Sequence, residues 1–289
     1  MTTAVATPTS PLDGIRLRFS GLLRSEWIKL RSLRSTLWCY LLIILATAGF
    51  AALMALSSNV GGDVLPQATQ NAMTVQYLTV GGNFTSLIAA VLGVLVISGE
   101  YTTGMIRTTY TAAPGRLSAY AAKAVVLTVV TFIVGLASIA AALAVSLPLF
   151  AANGVSPDLG DPAVALPLVG AAGFLALIAL LSFSLGAILR NSAGGIAAAV
   201  GLLFVAPIGI SLVGGFTGAA WAQNIGTILP GNVGAALYAY TGEGSGPAPE
   251  PGVVDGVLVL DQTWSLVVFA AWIVVGLVLG AILTKRRDV

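Results

Sequence analysis

Six apolar stretches separated by polar segments dominate the sequence. Each is long enough to cross about 30 Å of hydrocarbon as an α-helix. They lie at about 37–57, 77–98, 119–147, 164–188, 193–214 and 264–284. The pattern therefore predicts an all-α integral membrane protein with six transmembrane helices.

The residues before the first span form two regions of different character. Residues 1–14 are mostly Thr, Ser, Pro and Ala without a basic residue, which is typical of a disordered leader. A cleaved signal peptide is the alternative, but this leader lacks the basic start of a signal peptide. We therefore expect a single transmembrane domain over 15–289.

The region 15–35 has apolar residues at helical spacing. They recur at steps of three and four and comprise Ile15, Phe19, Leu22, Leu23, Leu30 and Leu33. Arg18, Arg24 and Arg31 fall elsewhere on the wheel, so the pattern predicts an amphipathic helix at the membrane surface. Glu26 lies on the apolar side. Two interpretations are open: local pairing with Lys29 or an Arg, or contact with a partner protein.

The segment 215–263, between the fifth and sixth spans, contains two shorter apolar pieces. They cover 217–229 and 231–240, are separated by Pro230, and are each too short to span. We predict two short helices or a re-entrant hairpin, followed by a loop rich in Gly, Pro and Glu at 242–252. An irregular loop is the alternative.

Composition supports the membrane class and excludes several kinds of site. The chain is 57% hydrophobic and 8% charged, with a mean hydropathy of +0.97, whereas a soluble domain has about 25% charged residues. It has no His and one Cys, Cys39, so it cannot build a zinc, haem or iron–sulfur site alone. We expect no metal site and no nucleic-acid binding.

Basic residues lie on one side of the predicted topology. The 13 Lys and Arg are Arg16, Arg18, Arg24, Lys29, Arg31, Arg34, Arg107, Arg116, Lys123, Arg190, Lys285, Arg286 and Arg287. The segments 58–76, 148–163 and 215–263 contain none of them. Because Lys and Arg accumulate in cytoplasmic loops, we predict a multi-pass protein of the cell membrane with both termini cytoplasmic.

Two absences limit the chemistry. None of the six predicted spans has an ionisable residue in its interior, where proton-coupled carriers and intramembrane hydrolases need one. The chain also lacks the G-x-x-x-x-G-K-[ST] motif that binds ATP phosphates. We therefore expect no enzymatic activity in this chain, and any energy for work must come from another subunit.

The segment SGEYTTGMIRTTYTAAPGR, residues 98–116, follows the second span. As a helix over 100–112 it would place Glu100, Thr103 or Gly104, Arg107 and Thr111 on one face, ending before Pro114. Such a short charged helix at the end of a span is a docking element. A solvated loop explains the charges equally well.

Two motifs resemble the permease subunits of type-2 ABC transporters, in the branch common in actinobacteria. One is the E-x-x-x-G-x-x-R-T-T run from Glu100 to Thr109, followed by the A-A-P-G-R turn (112–116) and Lys123. The other is RSEWIKLRSLRST, from Arg24 to Thr36. The six-span hydropathy extends the resemblance over the whole chain.

The resemblance implies a half-transporter of the type V exporter fold, paired with a second permease copy or a homologous permease. Two separate ATP-binding subunits would carry ATP and Mg²⁺, and this chain would bind no cofactor. The ATPase would contact a coupling helix and a connecting helix. The coupling-helix residues are Glu100, Tyr101, Thr103, Gly104, Arg107 and Thr108; the connecting-helix residues are Arg24, Glu26, Trp27, Lys29 and Arg31.

The resemblance also implies re-entrant extracellular helices around Pro230 and a path lined by the second and fifth spans. Phe84, Ser86, Phe204 and Pro207 are then path candidates, with ordinary packing or lipid contact as the alternative. The resemblance implies export, and an uncharged interior fits an amphipathic or hydrophobic compound, such as a drug, an antibiotic or a lipid, better than a small ion. A non-transporting scaffold or sensor is the alternative function, and the uncharged spans disfavour a channel or carrier working alone.

Overall fold

The computed structural model describes residues 18–58, 65–112, 115–243 and 252–286, and most of these are helical. Six helical segments are long and apolar enough to cross a membrane, which confirms the predicted number. Span 1 is α2 (Arg34–Ser57), span 3 is α6 (Arg116–Ala152), span 4 is α7 (Pro162–Leu189) and span 6 is α12 (Gln262–Arg286). Spans 2 and 5 each consist of more than one helix.

Span 2 is longer than its apolar stretch. It consists of α3 (Gln67–Thr79) and α4 (Gly82–Thr102), separated by a turn at Val80–Gly81. The first turns of α3 are polar, and hydropathy therefore assigned them to a loop. Their side chains bond the segment between spans 3 and 4 instead: the Gln70 amide oxygen accepts from the Ser156 N–H (2.6 Å) and that of Asn71 from the Asp158 N–H (2.9 Å).

Span 4 lies at the centre of the fold, where α7 packs against α4, α6 and α12. Its most apolar stretch is 61% buried. Spans 2 and 4 approach closely at Gly93, where the carbonyl oxygen of Ala179 leaves no room for a Cβ. The small residues at four-residue spacing thus permit backbone contact, as expected within membranes.

Span 5 is interrupted and little covered. It runs through α8 (Ser192–Val200), a π-helical turn (Gly201–Val205) and α9 (Ala206–Thr217). Pro207 cannot donate a backbone hydrogen bond, so the backbone hydrogen-bond pattern of the helix changes to the π-helical one just before it. Of the six spans described, span 5 is the least covered, with 6% of its most apolar stretch buried.

Beyond span 5 the chain forms α10 (Ala220–Ile228), α11 (Pro230–Gly234) and a 3₁₀ turn (Ala235–Leu237). These elements lie in the region of the predicted pieces 217–229 and 231–240, and residues 244–251 of the predicted loop lie outside the described residues. A hairpin of β1 (Gly252–Val254) and β2 (Val257–Val259) follows. Sequence analysis missed it, although Asp255-Gly256 between Val-rich runs is a strong hairpin signal.

Two further short helices flank spans 1 and 2. α1 covers Phe19–Ser32, and the extended backbone of the next residue, Leu33, separates it from span 1. Residues 15–17 of the predicted helix lie outside the described residues. α5 (Met105–Ala112) follows α4 after a break at Thr103–Gly104. Both lie where α4 ends and α6 begins; we call this end of the molecule the basic end.

Candidate functional site

Four ionisable side chains meet at the basic end and form what we call the ion cluster. Helix α1 contributes Glu26 and Lys29, α4 contributes Glu100, and α6 contributes Lys123. The Lys29 ammonium lies 2.8 Å from Glu26 Oε1 and 2.8 Å from Glu100 Oε1. The Lys123 ammonium lies 2.9 Å from Glu100 Oε1 and also bonds Glu26 Oε2. Each lysine thus bridges both carboxylates.

Local helical geometry prepares these contacts. Glu26 and Lys29 are three residues apart on α1 and therefore share a face. Leu30 is buried beside them and packs in the core that also contains Tyr120 and Leu127 of α6. The structure therefore pairs Glu26 with Lys29, the first of the two interpretations of this residue, and adds Lys123 as a second partner.

Because the cluster is buried, the charges of its four side chains must cancel. Glu26, Glu100 and Lys123 are each exposed by 5% or less. Two buried carboxylates and two ammonium groups cancel in charge, and without this pairing their desolvation would be prohibitive. Partial burial lowers the pKa of Lys29, but hydrogen bonds to Glu100 and Glu26 outweigh it and raise that pKa above its usual value. Lys29 is therefore charged at neutral pH.

The prediction of one continuous helix over 100–112 is wrong. α4 ends at Thr102, and Gly104 adopts φ +71°, a left-handed conformation that favours glycine. The chain changes direction there, so Glu100 is turned into the cluster while Arg107, Thr108 and Thr111 on α5 are exposed. Ile106 is buried and anchors α5. Glu100 and Arg107 therefore do not share one helical face.

A cavity of about 310 Å³ adjoins the cluster. Its walls include Leu30 of α1, Leu33 between α1 and α2, Val96 of α4 and Met105 of α5. The second carboxylate oxygen of Glu100, Oε2, is buried and has no hydrogen-bond partner among the described residues. The cluster thus leaves one buried acceptor unused beside the cavity.

Comparison with known families agrees with this architecture. A sequence model described as "ABC-2 family transporter protein" matches residues 22–289, which is nearly the whole chain. The chain belongs to the ABC-2 transporter family. It is therefore an ABC transporter permease, the membrane component, and its family implies an ABC ATPase as partner. No curated protein shows significant similarity to the sequence.

The remaining residues of α1 that were predicted to form a connecting helix lie opposite the cluster. Arg24, Trp27 and Arg31 are exposed, whereas Glu26 and Leu30 are buried. Helix α1 is therefore amphipathic, but its inward face also carries the charged side chains Glu26 and Lys29, which are neutralised by ion pairs within the cluster. Arg24 and Arg31 remain available at the surface.

Tyr101, at the end of span 2, contacts Arg190 at the end of span 4. The Arg190 guanidinium carbon lies 5.1 Å from the centroid of the Tyr101 ring, and Arg190 also donates to the carbonyl of Leu283 at 3.1 Å. These contacts connect the ends of spans 2, 4 and 6. The neighbouring Thr103 and Gly104 are exposed at the break before α5.

The four path candidates occupy two separate regions of the permease. Phe84 lies in the first turn of α4 and stacks on Phe50 of span 1 with ring centroids 5.0 Å apart. Ser86 is buried and donates to the carbonyl of Asn83 at 2.7 Å. Phe204 lies in the π-helical turn of span 5 and Pro207 follows in α9. Phe84 thus packs against span 1 rather than span 5.

Sequence reasoning missed the cluster as a unit. It counted Lys123 among the basic residues on one side of the membrane and outside the span interiors, but Lys123 is buried in α6, two turns after its start. A signal was present, since Lys123 lies near the start of the apolar stretch 119–147 and Glu26 falls on an apolar helix face. No group of three or more metal-ligating side chains occurs within the described ranges.

Proposed function

We propose that this permease belongs to an ATP-driven exporter of an amphipathic or hydrophobic compound, with its basic end in the cytoplasm. The one-sided distribution of Lys and Arg supports this orientation. The spans are apolar, and the buried charges of spans 2 and 3, Glu100 and Lys123, are neutralised within the cluster. Such an interior suits a drug, an antibiotic or a lipid better than a small ion.

ABC ATPase subunits would contact two exposed elements at this end. One is α5 with the break before it, where Thr103, Gly104, Arg107 and Thr108 are exposed; this would be the coupling helix. The other is the outer face of α1, the connecting helix, with Arg24, Trp27 and Arg31. Glu26, Lys29 and Glu100 would act behind this surface as positioning residues.

The ion cluster is the observation that carries the mechanism. It joins α1 to spans 2 and 3 through buried charge pairs, and the Lys29 ammonium also donates to Thr109 Oγ1 of α5 at 3.4 Å. Because a buried charge left without its partner costs about 3–5 kcal/mol, these three helices would move together when the ATPases close around ATP. Movement at the docking surface would thereby change access to a path between two permeases, as in lever-like domain motions.

The complex would contain two permeases and two ATPases. The sparse cover of span 5 supports its use as a face towards the second permease. Spans 2 and 5 would then line the path, with Phe84, Ser86, Phe204 and Pro207 as candidates. The helices α10 and α11 would lie on the extracellular side as re-entrant elements.

The test is transport by the permease assembled with its ATPase in vesicles. Arg107→Glu reverses an exposed charge on α5 and is expected to reduce both ATPase binding and ATP-dependent uptake of an amphipathic dye by inverted vesicles. Arg286→Glu, an exposed charge at the end of α12, is the matched control and should retain both. Unchanged uptake in Arg107→Glu would refute docking through α5. Full ATPase binding without uptake of any amphiphile would favour the scaffold function.

A further inference from the structure

Two apolar grooves meet on span 3 near the basic end. The first, of about 370 Å³, lies between α1 and α6, with Leu23 and Trp27 on one wall. The second, of about 550 Å³, lies between α6, α7 and α12, with Leu180 and Leu277 on its far wall. Val125 and Val129 line both grooves and form a ridge between them.

The ridge is exposed, and no helix among the described residues covers it. Val125 is 45% exposed and Val129 is 51% exposed. Together with Ala121 and Ile133 they form an exposed stripe at four-residue steps along span 3. In a membrane, lipid chains cover such a stripe. The two apolar grooves therefore lie one on each side of the ridge.

The rim of these grooves is cationic. Arg24 lines the first groove, is exposed, and forms no ion pair with any described residue. Beside the second groove, α6 starts at Arg116, one turn before Tyr120, and α12 ends with Lys285 and Arg286, one turn after Ala281. The nearby acids Glu26 and Glu100 are buried and already paired with lysines.

We infer that the two grooves bind one anionic diacyl phospholipid from the leaflet at the basic end. One acyl chain occupies each groove, the Val125–Val129 ridge separates them, and the phosphate lies at the level of Arg24. Charge complementarity selects the anionic lipid, because each basic residue near the surface strengthens its binding about fivefold. This inference does not depend on transport or on which side the basic end faces.

Tryptophan quenching by brominated lipid provides the test, because Trp27 lines the first groove. The full-length chain is placed in phosphatidylcholine vesicles with equal small fractions of brominated phosphatidylglycerol or brominated phosphatidylcholine. We expect stronger quenching by the brominated phosphatidylglycerol, and Trp27→Phe should remove the excess. Arg24→Gln should lower the relative affinity for phosphatidylglycerol about fivefold.

Matched variants separate a built site from general surface charge. Arg107→Gln removes a positive charge from α5, which lines neither groove, and should retain the preference. Val129→Phe narrows both grooves and should reduce quenching, whereas Ile133→Phe, one turn further along the same stripe, should not. Circular dichroism and monodisperse elution establish that each variant is folded.

Three results would overturn the inference. Equal quenching by both lipids would mean that the grooves hold lipid without selecting charge. An equal loss of preference in Arg24→Gln and Arg107→Gln would assign it to the general surface potential. Absence of quenching of Trp27 by either lipid would mean that another occupant, such as a second permease copy, covers the grooves.

Discussion

At the scale of single residues, this permease concentrates its buried charge at one place. Glu26, Lys29, Glu100 and Lys123 form a neutral group in which each lysine contacts both carboxylates. A buried ion pair adds little net stability compared with apolar residues, but removal of one member leaves an unpaired charge. The cluster therefore specifies how α1 packs more than it strengthens the fold.

Lys123→Met should lower the free energy of unfolding by about 3–5 kcal/mol, because Glu26 and Glu100 would then share Lys29 alone. Denaturant unfolding in detergent measures this change. Lys285→Met, an exposed residue of α12, should stay within about 0.5 kcal/mol of wild type. The double variant Lys123→Met with Glu100→Gln should lose less than the sum of the singles; additive losses would contradict the coupling.

At the scale of elements, the break between α4 and α5 decides which residues are buried and which are exposed. With φ +71° at Gly104, the chain leaves the axis of span 2 and presents α5 separately. A continuous helix would carry Glu100 and Arg107 on one face. The glycine therefore separates the buried cluster from the exposed docking residues.

Gly104→Ala should move α5 towards the axis of α4, because a left-handed backbone costs a residue with a Cβ about 1–2 kcal/mol. Spin labels at Thr108 and Lys285 report this as an altered distance distribution. Gly104→Asn should preserve the wild-type distribution, since Asn tolerates this conformation. Identical distributions in all three proteins would show that Gly104 does not determine the direction of α5.

At the scale of the whole molecule, the six spans are covered unequally. Span 4 is central, whereas span 5 lies at the edge with exposed apolar side chains. In the proposed complex this edge faces a second permease. The grooves on span 3, by contrast, have a cationic rim and suit lipid.

Cysteine cross-linking distinguishes these surfaces. In a Cys39→Ser background, Val205→Cys on span 5 should form disulfide-linked dimers upon oxidation in membranes that contain the ATPase. Val274→Cys on span 6 is the control, because Val205 is 60% exposed and Val274 58% exposed, both near the middle of their spans. Equal cross-linking at the two positions would argue against span 5 as the specific interface.

Much of this architecture follows from the sequence. The six spans were predictable, because the transfer of an apolar stretch into lipid depends on the composition of that stretch alone. The one-sided distribution of Lys and Arg is likewise visible without coordinates. The ABC-2 family match then adds the class of the protein.

Tertiary structure decided what the polar residues do. The polar start of α3 is helical because Ser156 and Asp158 bond its side chains from a distant segment. Glu100 is buried because Lys29, 71 positions earlier in the chain, and Lys123 compensate its charge. The free energy of burying a polar or charged group depends on partners that only the fold brings together, whereas an apolar group needs no specific partner.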